Sequence, residues 1–418
     1  MKNILLYVEP ACFRNDPQML SVWVSWVAQF VRMENAAGGG RFNFAIATSP
    51  WLCDFFRGTG PETATLQIEV SPRRVLEAFE GDRYRYVRDL YAPASTPPVN
   101  QALVDVFEEI RESFNPDLIL SYAQNRYIET VFHDKRHVFS EMAPLPRITG
   151  QSAFFFDPSG HQTANLLRKE ASRLQNIILP KADADEVLAL WQHNVRDRCV
   201  EAAKTRGLDQ WLAGIREEGR PVALLAFQPP DWLTYEGAYE TIPLDALLMR
   251  WLSDLPSEWL AVATYHPLWR LPPEMEAAIA REFPNFRPIP EDLSVGVSEP
   301  LLPFVEAVLT ISSSVGMMGL LDGKCVLTYG RSMLDGLSAR SPDELSTTPS
   351  LTSMQRAAVM AFLSNGYCHD VHDCLDRHGY MGDLWSRIIN SKDPGSDYFD
   401  FSRWSPKIFG KLLGAVAT

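Results

Sequence analysis

Four short segments of the chain gather side chains able to bind or react. Glu9-Pro10-Ala11-Cys12-Phe13-Arg14-Asn15-Asp16 holds two carboxylates and a guanidinium. Arg14 can hold an acceptor, and Glu9 or Asp16 can take a proton, Glu9 the more readily if burial raises its pKa. The same residues also suit a helix start, with Asp16 as N-cap and Pro17 at the first helical position. Gln228-Pro229-Pro230-Asp231-Trp232-Leu233-Thr234-Tyr235-Glu236-Gly237 offers the Gln228 amide and the carboxylates of Asp231 and Glu236, on a loop stiffened by two prolines. Thr264-Tyr265-His266-Pro267-Leu268-Trp269-Arg270 places a histidine before a proline, which restricts the preceding residue to extended backbone. His266 can bond a phosphate or exchange a proton near neutral pH. Ser312-Ser313-Ser314-Val315-Gly316 offers three hydroxyls and a helix start whose backbone N–H groups favour an anion. An ordinary Ser N-cap needs only one of those serines. Arg331, after a later strand, is a further anion candidate.

Cys368, His369, His372, Cys374 and His378 also lie close in sequence. Their spacing matches no zinc pattern, so a polar loop is the expectation and no metal site is assigned.

These segments matter because of the elements that must position them. Lys2–Val8, Arg41–Thr48, Asp117–Tyr122 and Arg147–Phe156 read as strands, separated by helix-period segments at Gln18–Met33 and Val99–Phe114. Asp183–Gly219 is charged and helix-prone, and reads as two helices linking the halves. A second alternation follows: strands at Pro221–Phe227, Trp259–Thr264, Val308–Ser312 and Cys325–Tyr329, with helices at Leu244–Leu255, Met275–Phe283, Gly316–Leu321 and Ser353–Leu363. Alternation of this kind predicts mostly parallel sheets with helices on both faces. Ligands of such sheets bind beyond the carboxyl ends of the strands, where all four segments fall. The expected division is residues 1–182, a helical linker 183–219, residues 220–385, and a helical segment 386–418 that returns to the first half.

The 418 residues suit two such units. Lys and Arg total 39 against 52 Asp and Glu, a net charge of −13, which speaks against a general nucleic-acid binder. Hydrophobic content of 46% and charged content of 22% exclude disorder and coiled coil for the whole chain. No apolar stretch is long enough for a membrane helix, and the opening apolar run stops at Glu9, too early for a secretory signal. The six scattered cysteines suit a reducing, cytoplasmic compartment.

Ser312-Ser313-Ser314-Val315-Gly316, a short helix, Leu321-Asp322-Gly323-Lys324 and a strand ending in Gly330 together resemble the capsule polysaccharide synthesis glycosyltransferases. That group includes the retaining β-Kdo transferases of bacterial capsule and lipopolysaccharide assembly. Phe227-Gln228-Pro229-Pro230-Asp231 and His266-Pro267-Leu268 are similar to two further motifs of the group, in the same order. Asp157-Pro158-Ser159-Gly160 is a weaker match. The likeness covers about Arg220 to Arg331; the N-terminal half agrees in layout only. The family usually leaves more residues between its Gln and Asp, and an Asn commonly follows its Asp-Pro-x-Gly, where this chain has His161 and Gln162.

The resemblance implies an α/β GT-B architecture, two Rossmann-like domains facing each other across a cleft. It implies a nucleotide-sugar donor on the C-terminal side, held by Gln228, His266, Pro267, Ser312, Ser313, Ser314, Gly316 and Arg331. The acceptor would lie on the N-terminal side with Arg14, and a carboxylate among Asp231, Glu9, Asp16 and Glu236 would act as base or nucleophile. Transfer without a metal or a separate cofactor is expected. The donor is CMP-Kdo if the β-Kdo likeness holds, and a UDP or GDP sugar if only the fold does. The acceptor would be a bacterial surface glycan or glycolipid. Lys407 and Lys411, on an amphipathic last helix, offer peripheral contact with the inner membrane. A sugar-nucleotide epimerase and a non-catalytic glycan-assembly subunit are the rival readings.

Overall fold

A computed structural model describes residues 1–11, 17–38, 40–59, 65–92, 100–230, 235, 237–267 and 269–415. Its strands are β1 (Lys2–Tyr7), β2 (Phe42–Thr48), β3 (Leu66–Glu69), β4 (Leu118–Ser121), β5 (Arg136–Met142), β6 (Ala153–Asp157), β7 (Val222–Ala226), β8 (Leu260–Thr264), β9 (Ala307–Thr310), β10 (Cys325–Thr328) and β11 (Cys368–Asp370). They form two sheets, a seven-stranded one in the order β11-β6-β5-β4-β1-β2-β3 and a four-stranded one in the order β10-β9-β7-β8. The second sheet is parallel throughout. In the first, β1 to β5 run parallel, while β6 is antiparallel to β5 and β11 antiparallel to β6.

The second sheet shows why its strands are continuous apolar runs. Val222 and Leu224 of β7 face a core shared with Trp191, Leu208 and Leu212, while Ala223 and Leu225 face Leu248 and Trp251 on the other side. With both faces covered, polar alternation would bury unpaired groups. In the first unit, Val24, Val27, Phe30 and Val31 of the Pro17–Ala36 helix pack with Ile4, Leu6, Ile119 and Phe154 of the sheet.

The linker is a helix, Lys181–Trp191, that runs through a π turn at Gln192–Arg196 into Asp197–Arg206, followed by Leu208–Arg216. It is tied to the second unit at Asp322, whose carboxylate accepts from Arg196 at 2.6 Å and from Trp191 Nε1 at 3.2 Å. The Leu321-Asp322-Gly323-Lys324 stretch is therefore a structural joint.

The chain re-enters the first sheet earlier than expected. β11 lies at Cys368–Asp370, inside the stretch 220–385 assigned above to the second half. The Tyr380–Asn390 helix that follows contributes Met381, Leu384, Trp385 and Ile388 to the first unit's core. The return thus begins at residue 368 and continues into the expected segment, where Ser391 O accepts from Arg136 of β5 at 2.5 Å and Tyr398 Oη donates to Phe156 O of β6 at 2.8 Å. The last helix, Pro406–Leu412, instead places Phe409 and Leu412 in the core shared with the linker helix residue Trp191. Its Lys411 pairs with Asp373 at 2.7 Å, which draws that charge toward the protein. No helix among the described residues is long and apolar enough to cross a membrane.

Candidate active site between the two sheets

A cavity of about 500 Å³ opens beyond the carboxyl ends of strands from both sheets. One wall belongs to the second unit: Gln228 and Pro229 after β7, His266 and Pro267 after β8, and Ser312, Ser313 and Ser314 after β9. The other belongs to the first unit: Glu141 and Met142 of β5, Arg147, and Gln162. The two walls are pinned together by Glu299, which lies in the second unit. It accepts the backbone N–H groups of Arg147 and Ile148 at 3.0 and 2.8 Å.

The serine turn starts the Ser314–Leu321 helix, with Ser313 as its N-cap accepting from the Val315 N–H at 3.3 Å. Ser312 N–H donates to Gln228 Oε1 at 2.8 Å, so Gln228 braces the turn while lining the same wall. The first N–H groups of a helix have no acceptor inside it. Here Ser313 takes those of Val315, through its hydroxyl, and Gly316, through its backbone carbonyl, and the helix dipole favours an anion at this end of the cavity. His266 is partly buried, and burial first, then the Arg147 charge, holds its pKa below the usual histidine value. At neutral pH it is a neutral imidazole that can donate one hydrogen bond.

Two expected donor-site residues do other work. A Cβ on Gly316 would meet Leu334 Cδ1 at 2.7 Å and Thr310 Cγ2 at 2.9 Å. Gly316 therefore lets the helix pack closely on β9, and does not line the cavity. Arg331 is exposed and its guanidinium donates to Gly237 O at 3.4 Å, outside the cavity wall. Arg147, from the first unit, is the guanidinium-bearing residue among the described residues of the wall.

Of the expected carboxylates, Asp16, Asp231 and Glu236 lie outside the described residues, as does Arg14. Glu9 is only 1% exposed and is absent from the cavity wall. It accepts from Tyr7 Oη at 2.9 Å, Asn125 Nδ2 at 3.1 Å, and Tyr86 Oη. Burial pushes its pKa up to about 6 even though these hydrogen bonds lower it. Glu9 is thus sealed in the first unit's interior and is not presented to the cavity.

The carboxylate that does line the cavity from the first unit is Glu141, which the sequence reading missed. Its strand, Arg-His-Val-Phe-Ser-Glu-Met, mixes charged and apolar residues and carries no clean period. Glu141 Oε2 lies 2.7 Å from His161 Nε2. His161 follows the Asp157-Pro158-Ser159-Gly160 motif, whose role is to build the turn. Asp157 accepts the N–H groups of Ser159, Gly160 and Leu166 at 2.7, 3.1 and 2.8 Å and the Tyr367 hydroxyl at 3.0 Å. Gln162, with φ at 44°, sits in the left-handed region that non-glycine residues rarely occupy. Its side chain accepts Met333 N–H at 3.3 Å, a further bond between the units.

The Cys/His segment is consumed by structure. His369 bonds Tyr380 Oη at 2.7 Å and Gly366 O at 2.8 Å, and Cys368 and Cys374 are buried. His372 is exposed and paired with Asp376 at 2.9 Å.

No protein-family model matches the chain, and no curated protein matches it. Among solved structures it is similar to the Thermosulfurimonas dismutans KpsC beta Kdo 2,7 transferase, at 11% identity and a TM-score of 0.39, over 82% of this chain and 99% of that one. The beta Kdo 2,4 transferase of the same organism gives 14% identity and a TM-score of 0.37, over 66% and 88%. A putative UDP-N-acetylglucosamine 2-epimerase from Listeria monocytogenes gives 10% and 0.32, over 94% and 99%. Likenesses at these values carry no functional argument. The two-unit α/β architecture stands on the strand order and the cavity walls described above.

Proposed function

We propose that this chain is a glycosyltransferase that moves a sugar from a nucleotide sugar to a bacterial surface glycan or glycolipid. The observation that carries the reading is the convergence of Gln228, His266 and the Ser312–Ser314 helix start on one wall, with Glu141 on the facing wall. The helix N-terminus and His266 suit the donor phosphate, where negative charge grows as the sugar leaves. Glu141 suits the acceptor side. In the net transfer the anomeric carbon–phosphate oxygen bond breaks and the acceptor oxygen bonds that carbon. The acceptor's proton passes to Glu141, and the nucleotide leaves with the bond's electron pair. CMP-Kdo, transferred with retention, is the donor that the sequence motifs support; UDP and GDP sugars are the alternatives. Transfer without a metal belongs to the same reading, and activity that survives EDTA is its check.

A thermal-shift comparison of CMP, UDP and GDP tests the donor site, because a ligand that binds only the folded chain raises its stability. A rise with CMP alone supports an acid-sugar donor, and a rise with UDP or GDP alone moves the choice to those sugars. No rise with any of the three sinks the reading. So does conversion of a sugar nucleotide to its epimer in the absence of acceptor.

A further inference from the structure

His161 stands where the sequence departs from the Asp-Pro-x-Gly-Asn pattern, and nothing in the donor site uses it. Its side chain is only 1% exposed. Its ring lies parallel to Phe155, with centroids 6.0 Å apart and planes 13° apart. Its backbone N–H donates to Gln124 Oε1 at 2.8 Å, which fixes the residue from behind. Nε2 lies 2.7 Å from Glu141 Oε2, and Nδ1 lies 3.4 Å from the Tyr91 hydroxyl. A carboxylate opposite Nε2 and a hydroxyl opposite Nδ1 suit the tautomer in which Nε2 donates and Nδ1 accepts. The Glu141 side chain makes no other hydrogen bond among the described residues and is 22% exposed on the cavity wall. A carboxylate held by one oxygen against a locked imidazole keeps a fixed rotamer while its second oxygen stays available.

We propose that His161 is the positioning residue of the reaction, holding Glu141 toward the acceptor hydroxyl in the tautomer protonated at Nε2. This rests on the glycosyltransferase reading, but the positioning contact can be tested without it. Nitrogen-15 NMR of the histidine rings, with His161 assigned by its loss in His161→Phe, should show the Nε2–H tautomer. His161→Phe keeps a ring against Phe155 and cannot donate; His161→Gln keeps a donor. With the sugar nucleotide whose base the thermal shift selects, nucleotide release by His161→Phe should fall about tenfold or more while nucleotide affinity stays within about twofold. His161→Gln should recover part of that loss. An Nδ1–H tautomer, or a His161→Phe variant that turns over like the native chain, would overturn the proposal. If the native chain binds no nucleotide, the glycosyltransferase reading falls, and the tautomer measurement still decides whether His161 donates to Glu141.

Discussion

Gln228 Oε1 takes the backbone N–H of Ser312 at 2.8 Å, joining the end of β7 to the turn that follows β9. One side chain thus sets the height of the helix start that faces the cavity. Gln228→Leu removes the acceptor and keeps the volume. The loss should cost about 1–2 kcal/mol of stability in urea denaturation, and weaken nucleotide binding in calorimetry. Unchanged binding would mean that the turn holds its shape through the Ser313 cap alone.

Gly237 lies against the ring of Tyr91, so close that an added Cβ would overlap Tyr91 Cγ and both Cδ atoms. The contact joins the loop after β7 to the first unit, beside the Tyr91–His161 pair. Gly237→Ala should destabilise the chain by about 1–3 kcal/mol, as overpacking does. In Tyr91→Ala the same change should cost far less, a coupling of about 1 kcal/mol or more in a double-mutant cycle. Additive costs would show that the two residues do not press on each other.

The buried Glu9 predicts a pH dependence of stability. Its pKa rises from 4.5 to about 6 on folding, so between these values the folded chain binds more protons than the unfolded one. Its contribution is then fully present below the unfolded value and is lost as pH rises through the folded one. The loss is about 2 kcal/mol in scale. Glu9→Gln should remove this component, so the variant should gain on the native chain between about pH 5 and about pH 8 in denaturant titrations. A constant difference across that range would contradict a buried, proton-retaining Glu9.

Burial and the Arg147 charge depress the His266 pKa. An anionic phosphate beside the ring favours its protonation, so nucleotide binding should take up a proton. Affinity should therefore strengthen as pH falls from about 8 to about 6, an effect read by calorimetry in buffers of different ionisation enthalpy. His266→Gln should bind with a flatter pH profile. An identical profile in both proteins would remove His266 from the phosphate site.

Much of the fold is legible in the chain. β7, β8, β9 and β10 read clearly because both faces of their sheet are covered, which demands apolar runs such as Val-Ala-Leu-Leu-Ala. β3 and β11 do not, because they are the short edges of the first sheet: β3 is only partly buried, and β11 is three residues, Cys-His-Asp. β5 is hidden by Arg136, His137 and Glu141, which are only partly buried at its two ends. Missing that strand meant missing Glu141.

The sequence by itself determined the second wall of the site. Gln228, His266 and Ser312–Ser314 each follow a strand, and parallel strands in one sheet bring their carboxyl ends to one edge. Local pattern is enough for that, since every member sits at the same point of the same repeated unit. Only the tertiary structure decided the facing wall. Whether a carboxylate is sealed, like Glu9, or presented, like Glu141, depends on which residues far along the chain cover it. Tyr86 and Asn125 close over Glu9, while His161 grips Glu141 from the side and leaves it on the cavity. Burial and hydrogen-bond partners of that kind are set by packing across more than one element, and no spacing in the sequence records them.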